Sequence, residues 1–339
     1  MSGSPANTSA NPPAGPPPEF IAPRWLRSAH AQTIYASKFC PQPGVAFRRE
    51  RWDTPDGDFI EVDFIDAPQA ARPAPWLLLF HGLEGSSRSH YARTLMQLAA
   101  RLGWNGAVPH FRGCGGEANR LPRAYHSGDT HEVDWILRRF AARAGGAQVH
   151  AAGISLGGNV LMKWLGEQGT AATGVIDSAI SVCAPVDLSA AGAALERGFA
   201  RVYALNFLQT LKGKAMAKLE QFPGLFDAGA LLQVRTMRGF DDVFTAPLHG
   251  YRDVDDYWTR ASCKPGLRAV AVRSLLINSL DDPFLPRAAL PRQDAVSACI
   301  TLDYPASGGH VGFVGGRPPG HTRWLAGRVA HFLDAASTS

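Results

Sequence analysis

The sequence predicts an α/β protein: a mostly parallel, doubly wound sheet with helices on both faces and a helical insertion late in the chain. Three observations carry this. Apolar runs of strand length alternate with helical patterning from about Trp76 onward. Trp76-Leu77-Leu78-Leu79-Phe80 is apolar without interruption, as suits a strand covered on both faces. Between about Leu188 and Arg268 the alternation stops, and helical patterning continues with no convincing buried strand.

Residues 1–18 are rich in Pro, Ala, Ser, Gly and Asn. They cannot bury enough apolar surface to offset chain entropy and are expected to be a disordered tail. Phe47–Trp52 and Phe59–Phe64 alternate around Pro55-Asp56-Gly57-Asp58, which fits two strands joined by an Asp-Gly turn. After the Trp76–Phe80 strand, helices are expected at Tyr91–Leu102, Glu132–Ala142, Asn159–Glu167 and Thr322–Ala335. Further strands are expected at Gly106–His110, Gln148–Ile154, Ala179–Ala184, Ser274–Asn278 and Cys299–Tyr304. The expected organisation is a core of residues 19–187 and 269–339, with residues 188–268 as a helical cap over the sheet. Ordinary crossover helices are the alternative reading of that segment. No internal repeat is visible.

Composition narrows the function classes. The 339 residues, 45% hydrophobic and 19% charged, suit a soluble globular chain with a sizeable core. No run of 18 apolar residues suggests a membrane span, and the N-terminus lacks the pattern of a secretory signal. Cys40, Cys114, Cys183, Cys263 and Cys299 are scattered, odd in number and without CxxC spacing. That argues against a disulfide framework and a zinc site, and a reducing, cytoplasmic setting is the simplest reading. The net charge of +5 comes from arginines spread along the chain, with no basic tract, so no nucleic-acid partner is expected.

The chemistry is concentrated in four segments. Gly153-Ile154-Ser155-Leu156-Gly157-Gly158 lies between an expected strand and an expected helix. A serine hydroxyl is a weak nucleophile and must be exposed beside a base, which a tight strand-to-helix turn with small flanking residues provides. The same turn aims the Leu156 N–H at a developing oxyanion. The pattern alone could arise by chance; its strand–turn–helix context makes it specific. His81-Gly82-Leu83-Glu84-Gly85 follows the earlier buried strand, where the Leu83 N–H could supply a second oxyanion donor, or the glycines could simply form a turn. Leu275 to Pro283 reads as a strand followed by two carboxylates. Asp282 is the better candidate for orienting a base and Asp281 the runner-up, with a plain Asx-turn open for either. His310, in Ser307-Gly308-Gly309-His310-Val311-Gly312-Phe313, follows the last expected strand, with His321 as its rival. The expected mechanism has His310 as base to Ser155, Asp282 fixing the histidine, Leu83 and Leu156 N–H groups holding the oxyanion, and water releasing an acyl-enzyme. No metal cluster or dinucleotide fingerprint is present, so no cofactor is expected.

The chain resembles the α/β-hydrolase superfamily and, more narrowly, its YheT-like branch with the eukaryotic ABHD lipases. The resemblance covers about residues 20–335 and rests on a set of motifs. Besides the segments above they are Trp25-Leu26 with His30-Ala31-Gln32-Thr33, Asp56-Gly57-Asp58-Phe59, Phe111-Arg112-Gly113-Cys114-Gly115-Gly116, Tyr125-His126-Ser127-Gly128-Asp129-Thr130 and Phe240-Asp241-Asp242 with Phe244. The resemblance implies a carboxylic-ester hydrolase acting on a small-molecule ester, with lipid-like esters among the candidates. Thioester or amide hydrolysis, or a non-catalytic ligand-binding role, are the competing readings. Some relatives carry an N-terminal membrane anchor; this chain has a polar, Pro-rich tail, so no stable anchor is expected. The H-x4-D acyltransferase motif is missing. Tyr125–Thr130 fits a polar loop lining a site or, slightly better, a helix N-cap region, because Ser127, Asp129 and Thr130 are capping residues.

Overall fold

The apolar runs form one eight-stranded sheet in the computed structural model, which describes residues 17–68 and 73–334. The strands are β1 Arg48–Asp53, β2 Phe59–Ile65, β3 Trp76–Phe80, β4 Asn105–Pro109, β5 Val149–Ile154, β6 Ser178–Val182, β7 Ser274–Ile277 and β8 Ile300–Asp303. They lie in the order β1-β2-β4-β3-β5-β6-β7-β8. β1 and β2 are antiparallel, as are β2 and β4; every other neighbouring pair is parallel. The mostly parallel, doubly wound architecture read from the sequence is therefore the one observed.

Eleven α-helices accompany the strands among the described residues. α1 is Ala29–Lys38, α2 His90–Arg101, α3 Thr130–Ala144 and α4 Leu156–Gln168. Between β6 and β7 run α5 Leu188–Leu195, α6 Ala200–Gln221, α7 Ala228–Gln233, α8 Met237–Phe240, α9 Ala246–Leu248 and α10 Val254–Ala261. α11, Arg323–Asp334, closes the described chain. No helix of the described residues is long and apolar enough to cross a membrane.

Alternation along the strands builds a core on each face. Leu78 and Phe80 of β3 pack with Val133, Ile136 and Phe140 of α3 and with Val160 and Trp164 of α4. Leu77 and Leu79 turn to the opposite face, with Leu95 and Met96 of α2 and Val329 of α11. β3, β5, β6 and β7 are buried at every position. Their sequences therefore read as apolar runs rather than alternations. α6 to α8 contribute to a smaller core of their own, with Leu208, Leu211, Leu231 and Phe240 at its centre.

One element departs from the sequence reading, and one expectation lies mostly outside the described residues. α1 was not foreseen: its Gln32 is fully buried while Phe39, just beyond its end, is exposed, which inverts the hydrophobic stripe that marks a helix. The expected tail lies outside the described residues except for Pro17 and Pro18. The Pro18 carbonyl accepts the Trp324 indole N–H at 2.8 Å, and Phe20 packs edge-on against Phe313 and Trp324.

The topology fixes where a ligand can sit. From β3 the chain crosses to β4 on one side and then returns past β3 to β5 on the other. The carboxyl ends of β3 and β5 thus meet where the strand order reverses, the preferred ligand crevice of open α/β sheets. Nearby, the Arg112 guanidinium holds the β1–β2 turn against α3. It donates to Asp58 at 3.0 Å, to Asp56 at 2.9 Å and to Glu132, and Asp58 and Glu132 are buried. Burial works against the Asp58 charge, but the Asn119 amide and the Arg120, Phe59 and Leu121 N–H groups outweigh it and keep that carboxyl below its usual range. Removing the cation would leave buried carboxylates unpaired. Arg112→Met is expected to cost about 3–5 kcal/mol of unfolding free energy, measured by urea denaturation.

Candidate active site

β5 ends at Ile154, and the chain turns into α4 through Ser155 at φ 52°, ψ −120°. A non-glycine residue in that region costs of order 1–3 kcal/mol and persists only where its surroundings impose it. Here they do. A Cβ on Gly153 would overlap the Gly157 carbonyl, and one on Gly157 would overlap the Phe80 carbonyl of β3. The Ser155 N–H is fixed by the Val182 carbonyl of β6 at 2.8 Å. The glycines are there for close approach, and the serine is presented at the crest of the turn.

Ser155 Oγ lies 2.9 Å from Nε2 of His310. Nδ1 of His310 lies 3.0 and 3.1 Å from the two carboxylate oxygens of Asp282. A carboxylate only accepts, so it selects the tautomer with the proton on Nδ1 and leaves the Nε2 lone pair facing the serine hydroxyl. The structure therefore brings the three sequence candidates into one hydrogen-bonded chain. Asp281 does something else: it accepts the Gly309 N–H at 2.9 Å and so shapes the histidine loop. His321 pairs through its backbone with Gly315, beside α11, and does not line the cavity over Ser155.

The loop carrying His310 is strained and heavily tied. Val311 and Phe313 hold φ of 55° and 44°. Against that cost, the Ser279 hydroxyl donates to the Gly309 carbonyl at 2.7 Å and Thr33 Oγ1 accepts the His310 N–H at 2.9 Å. Cys183 Sγ accepts the Val311 N–H at 3.3 Å, and His90 donates to the Val311 carbonyl at 2.8 Å. The buried Gln32 amide both accepts the Val314 N–H at 2.7 Å and donates to its carbonyl at 3.1 Å. Phe284 then stacks on the His310 ring at 4.0 Å. Gln32 and Thr33 belong to a motif visible in the sequence, yet its duty could not be read there, because their partners lie some 280 residues away.

The Leu83 and Leu156 N–H groups, expected as oxyanion donors, flank Ser155 and have no protein acceptor among the described residues. The Gly82 and Glu84 N–H groups on either side of Leu83 are taken by the hydroxyls of Tyr91 at 3.0 Å and Tyr125 at 2.9 Å. The Tyr125 hydroxyl and Lys214 of α6 both donate to Glu84 at 2.8 Å, clamping this loop from two sides. His81 is structural: its ring accepts the Phe111 N–H at 3.1 Å and donates to the Gly82 carbonyl, and burial lowers its pKa to about 3. Both readings of Tyr125–Thr130 hold, since Asp129 caps α3 while Tyr125, His126 and Ser127 line the cavity.

A cavity of about 920 Å³ opens over Ser155. Leu188, Leu195, Leu211, Met237, Phe240 and Phe244 give it an apolar roof from the helices between β6 and β7. All five cysteines are free. Ligand atoms of Cys183, Asp282 and His310 lie within 4.8 Å of one another. Asp282 and His310 are already engaged together, and burial raises the Cys183 thiol pKa well above its usual value, so the trio suits proton handling rather than a metal.

Two expected outcomes follow from this geometry. Thr33→Val should lower kcat about tenfold with KM nearly unchanged, because the half-buried His310 N–H loses its acceptor, while Thr33→Ser should retain activity. The second concerns acid stability. Burial lowers His90 and His126 from 6.5 to about 4 and His249 to about 3. A depressed histidine binds fewer protons folded than unfolded, so its stabilisation is present above pH 6.5 and is lost as pH falls. His81 and His150, lowered to about 3 and about 4, act in the same direction. Asp241 and Glu132, pushed up by burial to about 6 and about 7, act oppositely, but they are two groups against five. The urea midpoint should fall between pH 6.5 and 4.

Comparison with known proteins adds to this geometry. A family model described as alpha/beta hydrolase fold matches residues 75–314. YheT of Escherichia coli (strain K12), an esterase by assignment, is 39% identical over 93% of this chain and 93% of its own. Phospholipase ABHD3 of Mus musculus is 30% identical over 92% of this chain and 77% of its own. The solved structure of the Pyrococcus furiosus esterase Pf2001 is 14% identical, with a TM-score of 0.53 over 94% of this chain and 99% of that one, a likeness that shows the fold.

Proposed function

The chain belongs to the alpha/beta hydrolase fold family, and on that premise we propose that this carboxylic-ester hydrolase works through a Ser155–His310–Asp282 triad and an acyl-enzyme. The observation that carries the reading is the continuous hydrogen-bonded chain from Ser155 Oγ through both ring nitrogens of His310 to Asp282.

His310 Nε2 takes the hydroxyl proton as Ser155 Oγ attacks the ester carbonyl carbon. The Nδ1–H already faces Asp282, so the imidazolium that forms is stabilised without rearrangement. The carbonyl oxygen, now an oxyanion, is held by the unpaired N–H groups of Leu83 and Leu156. His310 returns its proton to the departing alcohol, leaving Ser155 acylated. Water, deprotonated by the same ring, then releases the acid and restores the serine. The apolar roof over Ser155 supports a lipid-like acyl group as substrate, and residues 188–268 act as a cap that forms it. Thioester and amide carbonyls obey the same chemistry; the ester reading rests on the named relatives.

A fluorophosphonate probe is expected to label Ser155, and Ser155→Ala should lower turnover of p-nitrophenyl esters by about 10⁴-fold or more. Folded protein that fails to label would sink the triad. In an acyl series from acetate upward, kcat/KM should rise about threefold to fourfold per methylene until the cavity is filled, because each buried methylene is worth ~0.8 kcal/mol. A flat series would confine the enzyme to short acyl groups.

A further inference from the structure

Seven large hydrophobic side chains stand exposed among the described residues, and six of them lie on the segment 21–39 or on the start of α6 and the residue before it. They are Ile21, Trp25, Phe39, Phe199, Val202 and Leu205, with exposures from 36% (Trp25) to 74% (Ile21). Ring contacts join them through α1. Trp25 meets Tyr35 at 5.1 Å, Tyr35 meets Phe39 at 5.7 Å, and Phe199 meets His30 at 4.7 Å. A concentration of this kind on an otherwise well-covered surface marks a contact site.

The charge on the same two stretches is one-signed. Residues 20–49 and 197–219 contain no Asp or Glu. Arg24, Arg27 and Lys38 on the first, and Arg197 and Arg201 on the second, are exposed and have no ion-pair partner among the described residues. The patch also borders the cavity over Ser155: Ser37, Lys38, Val202 and Asn206 are exposed and line it, so one side of its mouth lies between α1 and α6.

We propose that this face docks the protein on an anionic lipid bilayer, with α1 and the first turns of α6 at the headgroup boundary and the cavity mouth turned toward the membrane. Exposed aromatic and aliphatic groups flanked by unpaired cations are what interfacial adsorption requires: apolar burial at the acyl boundary plus attraction to anionic headgroups. A symmetric second copy fits less well, since a two-fold contact would set these five cations against themselves. No helix among the described residues is long and apolar enough to cross a membrane, and the docking proposed is peripheral. The proposal rests on the ester-hydrolase reading for the lipid-like substrate that docking would deliver; the surface itself stands on exposure and charge.

The test is co-sedimentation of the full chain with phosphatidylcholine vesicles, with and without phosphatidylglycerol, at low and high salt. Hydrolysis of soluble p-nitrophenyl acetate is followed in the same samples. Binding to the anionic vesicles that weakens with salt is expected. Phe199→Ser with Leu205→Ser should weaken it by about tenfold or more. Arg24→Glu should weaken it about fivefold or more, since removing one cation alone is worth that much. None of Arg24, Phe199 and Leu205 lines the cavity over Ser155, so acetate hydrolysis should stay at the parent level and report that the variants are folded. Parent protein that ignores both vesicle types, or patch variants that bind as tightly as the parent, would overturn the proposal. So would a dimer in analytical ultracentrifugation that the patch changes dissolve while vesicles remain unbound. If acetate hydrolysis and probe labelling fail while vesicle binding holds, the ester reading fails and the surface does not.

Discussion

The approach of Gly157 to the backbone of β3 is the constraint on which the site depends. No side chain fits between Gly157 and the Phe80 carbonyl, so α4 starts hard against the end of β3. That contact forces the chain through Ser155 at positive φ and sets the Leu156 N–H beside the loop that carries Leu83. Because β3 and β5 pair in parallel up to Phe80 and Gly153, Ser155 and the loop carrying Leu83 leave adjacent strand ends together. The sheet therefore supplies their relative position before any side-chain interaction is made.

His310 needs more support, because it sits on a loop rather than at a strand end. Its loop contains two non-glycine residues at positive φ, and each is held by neighbours from other parts of the chain. α1 supplies Thr33 and Gln32, β7 leads to Ser279 and Asp281, and Cys183 follows β6. The position of His310 is thus imported from three segments. Strain of this kind is retained where a geometry is needed that the loop would not adopt alone.

The helices between β6 and β7 have a dual character. Their buried faces form a small core, and their remaining apolar groups roof the cavity. Lys214 on α6 reaches Glu84 on the loop that carries Leu83, so the roof is tied to the floor by a charged hydrogen bond. α6 begins at the exposed apolar and basic face beside α1, linking the surface of the molecule to the mouth of its site.

What the sequence determined by itself was local. Strands buried on both faces announce themselves as apolar runs, and Trp76–Phe80 was bounded correctly to the residue. The glycines around Ser155 and His310 were legible because close approach and positive φ restrict residue type directly. Asp282 over Asp281 was a preference that only coordinates could resolve, since both follow the same strand and differ in which way the turn points them. α1 escaped notice because its burial is polar: Gln32 is inside for hydrogen bonds, so no hydrophobic period records it. The unpaired Leu83 N–H and the grouping of Phe199 with α1 were likewise decided by tertiary structure. Each depends on groups far apart in the chain, and a hydrogen bond or an exposed patch is a property of the pair of surfaces that meet, which no single stretch of sequence contains.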